Sequence, residues 1–218
     1  MAQGQRNLFN KVQLKDGLAA LDAAMGADEW IYAFTPITMV SPGGFLAVSF
    51  FENRIATEDI DVIINPEHAS DKDIMEPLHR IMGQVGYDLG YGTDWINDHV
   101  ATFLTAETRK TLCKEAEQQN IILWDGPNLK VLAAPLEWGL ESKLRRLTTK
   151  PLHPKAYTDV NDAVVILKHL IDRNKGPLKR NEVLAMNKNG FDFALKDHAL
   201  DRVTTEYRTQ HGIEPFYD

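Results

Sequence analysis

Val40-Ser41-Pro42-Gly43-Gly44-Phe45-Leu46-Ala47, followed shortly by Arg54-Ile55-Ala56-Thr57-Glu58-Asp59-Ile60-Asp61-Val62-Ile63-Ile64, is the stretch that decides the fold. Ile37 to Val40 is a short β-rich run, and Ser41-Pro42-Gly43-Gly44 breaks it. From Phe45 to Phe51 the apolar density, closed by Glu52-Asn53-Arg54, predicts a buried helix that opens on the glycine pair. Ile60 to Ile64 is β-branched and ends at Asn65-Pro66, which predicts a strand. The whole reads as one strand-turn-helix-strand unit. With residues 59–64 extended, Asp59 and Asp61 point to the same face, because side chains alternate with period two, and their Cα atoms stand roughly 6.6 to 6.8 Å apart.

Working outward, Leu14, Leu18 and Leu21 space apolar side chains helically over residues 14–25, with a stop at Gly26. Residues 70–85 predict a helix with Ile74, Leu78, Ile81, Met82 and Val85 on one side, ending at Gly86. Asp94-Trp95-Ile96-Asn97-Asp98 follows a glycine-rich connection, and a helix is expected to begin after Trp95. Residues 107–119 read as a polar helix; Ile121 to Trp124 and Leu129 to Ala133 read as two strands joined by a turn. No strand is expected after Ala133. Leu136, Leu140, Leu144 and Leu147 form one helical stripe, and Val160, Val164, Leu167 and Ile171 another. Weaker helical segments follow near 179–188 and 196–210. The expected class is α+β: a small mixed sheet flanked by helices over residues 1–134, then a helical region over 135–218.

Composition limits the function classes. The chain has 218 residues, 44% hydrophobic and 25% charged, the profile of a soluble globular protein able to bury a core. Its formal net charge of −7 disfavours a broadly basic surface that coats nucleic acid. The single cysteine, Cys113, makes no intramolecular disulfide, and the first seven residues lack the apolar run of a leader peptide. A reducing compartment, most simply the cytoplasm, is expected. No apolar stretch approaches the roughly 20 residues of a membrane span, so no membrane partner is expected.

Two carboxylates on one face of an apolar strand are what a hard divalent cation needs: oxygen ligands on a rigid support, with positions left for substrate phosphates. A Gly-Gly turn that opens a helix leaves backbone N–H groups exposed and lets a phosphate approach without a Cβ in the way. Taken singly, Gly43-Gly44 is equally a tight turn, and Asp59 and Asp61 a solvated strand edge. Their joint spacing makes a phosphate cradle beside a metal pair the sharper reading.

This segment resembles the nucleotidyltransferase superfamily of the DNA polymerase β type, whose signature is a Gly-Gly or Gly-Ser turn followed by an Asp-x-Asp strand. Gly-Gly-x-x-Ala ahead of Arg-x-x-Thr-x-Asp-Ile-Asp is similar to the AbiEii-like toxin nucleotidyltransferases and uncharacterised families near them. Trp95-Ile96-Asn97-Asp98, the segment Leu129 to Glu137 followed by Lys143, and Thr158-Asp159-Val160-Asn161-Asp162 extend the likeness over roughly residues 35–172. Where the pattern has a basic residue before Asp159, this chain has Thr158.

The resemblance implies a nucleotidyltransferase-like fold and transfer of a nucleoside monophosphate from a nucleoside triphosphate to an RNA such as tRNA, a protein or a small molecule. It makes Asp59 and Asp61 ligands of Mg²⁺ or Mn²⁺. Ser41, Gly43 and Gly44 would hold nucleotide phosphates; Arg54 and Thr57 would brace the carboxylate strand or touch phosphate. Lys143 would neutralise phosphate charge, and Asp159 would supply a further carboxylate or orient Lys143. On the plain reading Lys143 snorkels over its leucine stripe and Asp159 caps the following helix. Asn97 and Asp98 stand one layer behind. A catalytically degenerate fold used for ligand or partner binding, or recruited to other small-molecule chemistry, is the alternative. The histidines show no zinc-ligand spacing, and Cys113 sits on a polar helix without a catalytic motif. Lys143, Arg145, Arg146, Lys150, Lys155, Lys175, Lys179 and Arg180 are the densest cationic supply for a polyanionic acceptor, or else solvated helix faces.

Overall fold

The computed structural model of the chain describes residues 7–190 and 193–218. The first six residues, read above for a leader peptide, lie outside the described residues. The class is α+β, with small mixed sheets among helices. Two compact units divide the chain, Met1–Ala134 and Pro135–Asp218.

The first unit opens with strand β1 (Phe9–Asn10) and helix α1 (Lys11–Ala27). Asn10 caps α1: its side chain accepts from the Val12 and Gln13 amides, while Gln13 reaches back to the Asn10 amide, so two otherwise unpaired donors are satisfied. Strand β2 (Ile37–Ser41) runs through the glycine turn into α2 (Gly44–Ser49). Then come β3 (Ala56–Thr57), β4 (Ile60–Asp61) and β5 (Ile63–Ile64), and helices α3 (Pro66–Ala69) and α4 (Lys72–Asp88). Strand β6 (Ile96–Asn97), helix α5 (Ala106–Gln119), and strands β7 (Ile122–Asp125) and β8 (Leu129–Ala133) complete the unit.

The central sheet has the order β5-β2-β8-β7, with β2 and β8 parallel and the other neighbours antiparallel. Two covered faces explain why β2, β5 and β8 are largely apolar on both sides, whereas the edge strand β7 is partly exposed. Ile37, Met39, Ile64, Leu129 and Val131 join the core with Leu14, Leu18 and Leu21 of α1 and with Ile74, Leu78 and Ile81 of α4. The alternate residues Val40, Ile63 and Leu132 are equally buried, and α5 packs on β2, β5 and β8.

The stretch expected as one strand comes as two short ones, β4 and β5, with a break at Val62, a change of partner between them, and Asp59 just before the first. Ile60 and Asp61 lie parallel to Ile96 and Asn97 of β6, while Ile63 and Ile64 pair with Val40 and Met39 of β2. Two other expectations need correction here. A strand, not a helix, follows Trp95, and Asp98 begins only the short 3-10 turn His99–Phe103. Nor does Gly86 end its helix, which continues to Asp88. Gly86 serves close approach instead: a Cβ there would stand 2.4 Å from Cδ1 of the buried Trp95 and 2.2 Å from the Gly92 carbonyl oxygen.

The second unit consists of α6 (Leu136–Thr149), α7 (Ala156–Asn174), β9 (Leu178–Lys179), α8 (Arg180–Leu184), α9 (Asp197–His211) and β10 (Phe216–Tyr217). Helices α6, α7 and α9 pack pairwise, burying Leu140, Leu144, Val164, Leu167, Leu200 and Val203. Contrary to the expectation of no strand after Ala133, β9 and β10 pair in parallel, with Leu178 N donating to Pro215 O at 2.9 Å. Two-residue strands are too short to show a period in sequence.

Candidate functional site

The structure draws the turn after β2 and the Asp59–Asp61 stretch together. Ser41 is fully buried, and its hydroxyl donates to the Asp61 backbone carbonyl at 2.7 Å, so it braces the carboxylate strand from behind. Gly43 has φ +71°, which favours glycine; a Cβ built on it would lie 3.9 Å from Oδ2 of Asp61. Gly44 is needed for a different reason. Its Cβ would stand 2.0 Å from Oγ1 of Thr57, so the start of α2 sits directly against that threonine. Thr57 is held in β3, opposite Phe9 of β1, and is buried.

Alternation holds along the carboxylate stretch. Ile60 and Val62 are buried in the core, whereas Asp59 and Asp61 are half-buried on the opposite face. Behind them, Asn97 Nδ2 donates to Asp59 Oδ2 at 3.3 Å and to the Asp94 carbonyl at 3.2 Å, and Asn97 Oδ1 accepts from the His99 amide at 3.1 Å. Asp98 lies against α4, its Oδ2 3.3 Å from His79 Nε2. Arg54 is half-buried in the loop between α2 and β3.

The donor chemistry suits a hard divalent cation. Asp59 and Asp61 offer carboxylate oxygens, and the glycine at 43 leaves the space beside Asp61 unblocked. Among the described residues, no group of three or more His, Cys, Asp or Glu side chains is arranged to hold a metal. A cation held by Asp59 and Asp61 would take its remaining ligands from phosphates and water, the way Mg²⁺ is commonly bound.

The remaining predicted residues, Lys143 and Asp159, lie in the second unit. Lys143 is buried, not spread over its leucine stripe, and its ammonium lies 3.2 Å from Asp159 Oδ1 and 2.7 Å from Asp162 Oδ2. Arg146 meets the same Asp159 oxygen at 3.3 Å. The helix cap is Lys155, so Asp159 lies inside α7, where its carboxylate turns to Lys143 and leaves the helix amides uncapped by it. Asp159 and Asp162, three apart on α7, share a face as their spacing requires. Two buried carboxylates facing two cations form a charge-balanced group.

Glu141 went unnoticed in the sequence. It is fully buried on α6 and accepts from Arg145, Asn189 Nδ2 and the Lys188 amide, while Trp138 Nε1 donates to Asn189 Oδ1 at 2.7 Å. A carboxylate one residue from Leu140, inside an apolar stripe, was the available signal. Much of the cationic supply is likewise committed: Arg145 to Glu141, Arg180 to Asp197 and Asp201, Lys179 to Glu182. Cys113 is on the buried side of α5, and burial pushes its thiol up to about 11, so it is a protonated core residue at neutral pH.

Comparison with protein-family models, curated proteins and solved structures gives no match. No helix among the described residues is long and apolar enough to cross a membrane.

Proposed function

We propose that this chain is a metal-dependent nucleotidyltransferase with a nucleotidyltransferase-like first unit, moving a nucleoside monophosphate from a nucleoside triphosphate to an RNA, protein or small-molecule acceptor. One observation carries the reading: the Gly43-Gly44 turn lies against Thr57 and beside Asp61 of β4, and Asp59 stands just before that strand. A bare glycine turn beside two oxygen ligands is what a triphosphate with its cation requires.

In this reading, Gly43 and Gly44 let the triphosphate approach the backbone closely, and Asp59 and Asp61 hold the cation. Ser41 fixes the carboxylate strand through the Asp61 carbonyl, and Thr57 supports the turn from beneath Gly44. Mg²⁺ or Mn²⁺, when bound, supplies charge stabilisation to the entering and leaving oxygens of an in-line displacement that releases pyrophosphate. Lys143 and Asp159 are assigned only their mutual pairing.

The test is incubation of the purified protein with each α-labelled nucleoside triphosphate and Mn²⁺, with and without total tRNA. Label transferred to RNA, to the protein or to a small molecule supports the reading, and its loss in the Asp59→Asn/Asp61→Asn double variant assigns it to this site. No transfer, together with equal triphosphate binding by the double variant, refutes it. A second reading, binding without transfer, is favoured by the absence of a third metal-competent side chain among the described residues. It predicts metal-dependent triphosphate binding and no turnover.

A further inference from the structure

Asn97 lies on β6 in parallel register opposite Asp61, and it is 7% exposed. Its amide is fully engaged. Nδ2 faces two acceptors, Asp59 Oδ2 and the Asp94 carbonyl, and Oδ1 faces one donor, the His99 amide. Reversing the amide would set its oxygen against a carboxylate and a carbonyl and its NH₂ against an N–H. The network therefore fixes which end points at Asp59. Ile96 beside it is buried in the core, which anchors the strand that carries the amide.

We infer that Asn97 is the positioning residue of the Asp59–Asp61 site: it locks the plane of the Asp59 carboxylate and, by being an amide, keeps the cation's protein ligands to two carboxylates. The inference rests on the cation reading of Asp59 and Asp61. Outer groups that hydrogen-bond a metal ligand orient it, and losing one costs metal affinity without removing a ligand. A carboxylate at the same place on β6 would itself face Asp59 and add an oxygen ligand.

The experiment measures Mn²⁺ affinity by electron paramagnetic resonance of the free ion, on the full chain without nucleotide. Wild type, Asn97→Ala, Asn97→Asp and Asp61→Asn are compared, with thermal melts to establish folding. Asn97→Ala is expected to bind Mn²⁺ about tenfold more weakly than wild type, and Asn97→Asp at least as tightly as wild type. Asn97→Ala that is folded and binds like wild type overturns the inference, as does Asn97→Asp that binds more weakly than wild type. A merely structural asparagine would make both variants weaker in step with their melts. If Asn97→Ala does not fold, Asn97→Asp, which keeps the acceptor for the His99 amide, decides alone. Wild type that binds Mn²⁺ no better than Asp61→Asn refutes the underlying cation reading; a wild-type signal lost in Asp61→Asn with silent Asn97 variants refutes this inference only.

Discussion

Gly44→Ala tests the turn most directly. The added methyl carbon would stand 2.0 Å from Thr57 Oγ1 and 2.9 Å from Thr57 Cβ, distances that no rotamer of threonine relieves completely. Thr57 is buried and paired with Phe9 of β1, so it cannot swing into solvent. Overpacking of this kind costs about 1 to 3 kcal/mol, which for a chain of this size lowers Tm by roughly 2 to 12 °C. Gly43→Ala provides the contrast. There the nearest atom is 3.9 Å away, so the cost is backbone strain at φ +71°, about 1 to 3 kcal/mol. Pairing each variant with Thr57→Gly separates the two causes in a double-mutant cycle read by urea denaturation. Thr57→Gly should relieve Gly44→Ala and leave Gly43→Ala unrelieved. If Gly44→Ala melts with wild type, or if Thr57→Gly relieves both variants equally, the close packing of α2 on Thr57 is refuted.

Lys143→Met removes the ammonium that faces the buried Asp159 and Asp162 carboxylates, and is expected to destabilise by about 3 to 5 kcal/mol in chemical denaturation. Lys143→Met combined with Asp162→Asn should recover part of that loss; no recovery would show that the pairing carries little of the stability. Because burial holds the Cys113 thiol at about 11, against an ordinary 9.0, the folded chain keeps a proton that the unfolded chain gives up. Its contribution is therefore intact below pH 9, and stability falls as pH rises from 9 towards 11. Cys113→Ala should flatten that decline, and iodoacetamide at pH 8 should alkylate the thiol only once denaturant is added.

Where hydrophobic period is strong, the sequence announces the structure. The leucine stripe of α6 and the valine-isoleucine stripe of α7 read directly, and so does the alternation that sets Asp59 and Asp61 apart from Ile60 and Val62. Legibility fails where long-range contact decides the outcome. Gly86 looks like a helix stop because glycine is a poor helix former, yet Trp95 packs so close that nothing larger fits, and the helix runs on. Asp159 has the residue type of a helix cap, but the partner that claims it, Lys143, sits on another helix. Thr57 reads as a loop residue, since its strand pairs for two residues only. Within the candidate site, the carboxylates and glycines were visible in sequence. The commitments of Ser41 to a carbonyl and of Asn97 to Asp59 were not, because each depends on a partner distant in the chain.

The change of partner within residues 60–64 bears on the order of assembly. Its neighbours are β2 on one side and β6 on the other, and β2 in turn needs β8 as its parallel partner, some ninety residues beyond it. Parallel pairs of such separation close late, since the entropy of the long loop must be overcome before any ladder contact compensates it. A ribosome would thus release almost the whole first unit before β2 gains its parallel partner and the central sheet closes. Any fragment ending short of Leu129 would carry the carboxylates and their β6 partner but not β8, the strand beside β2 in the central sheet.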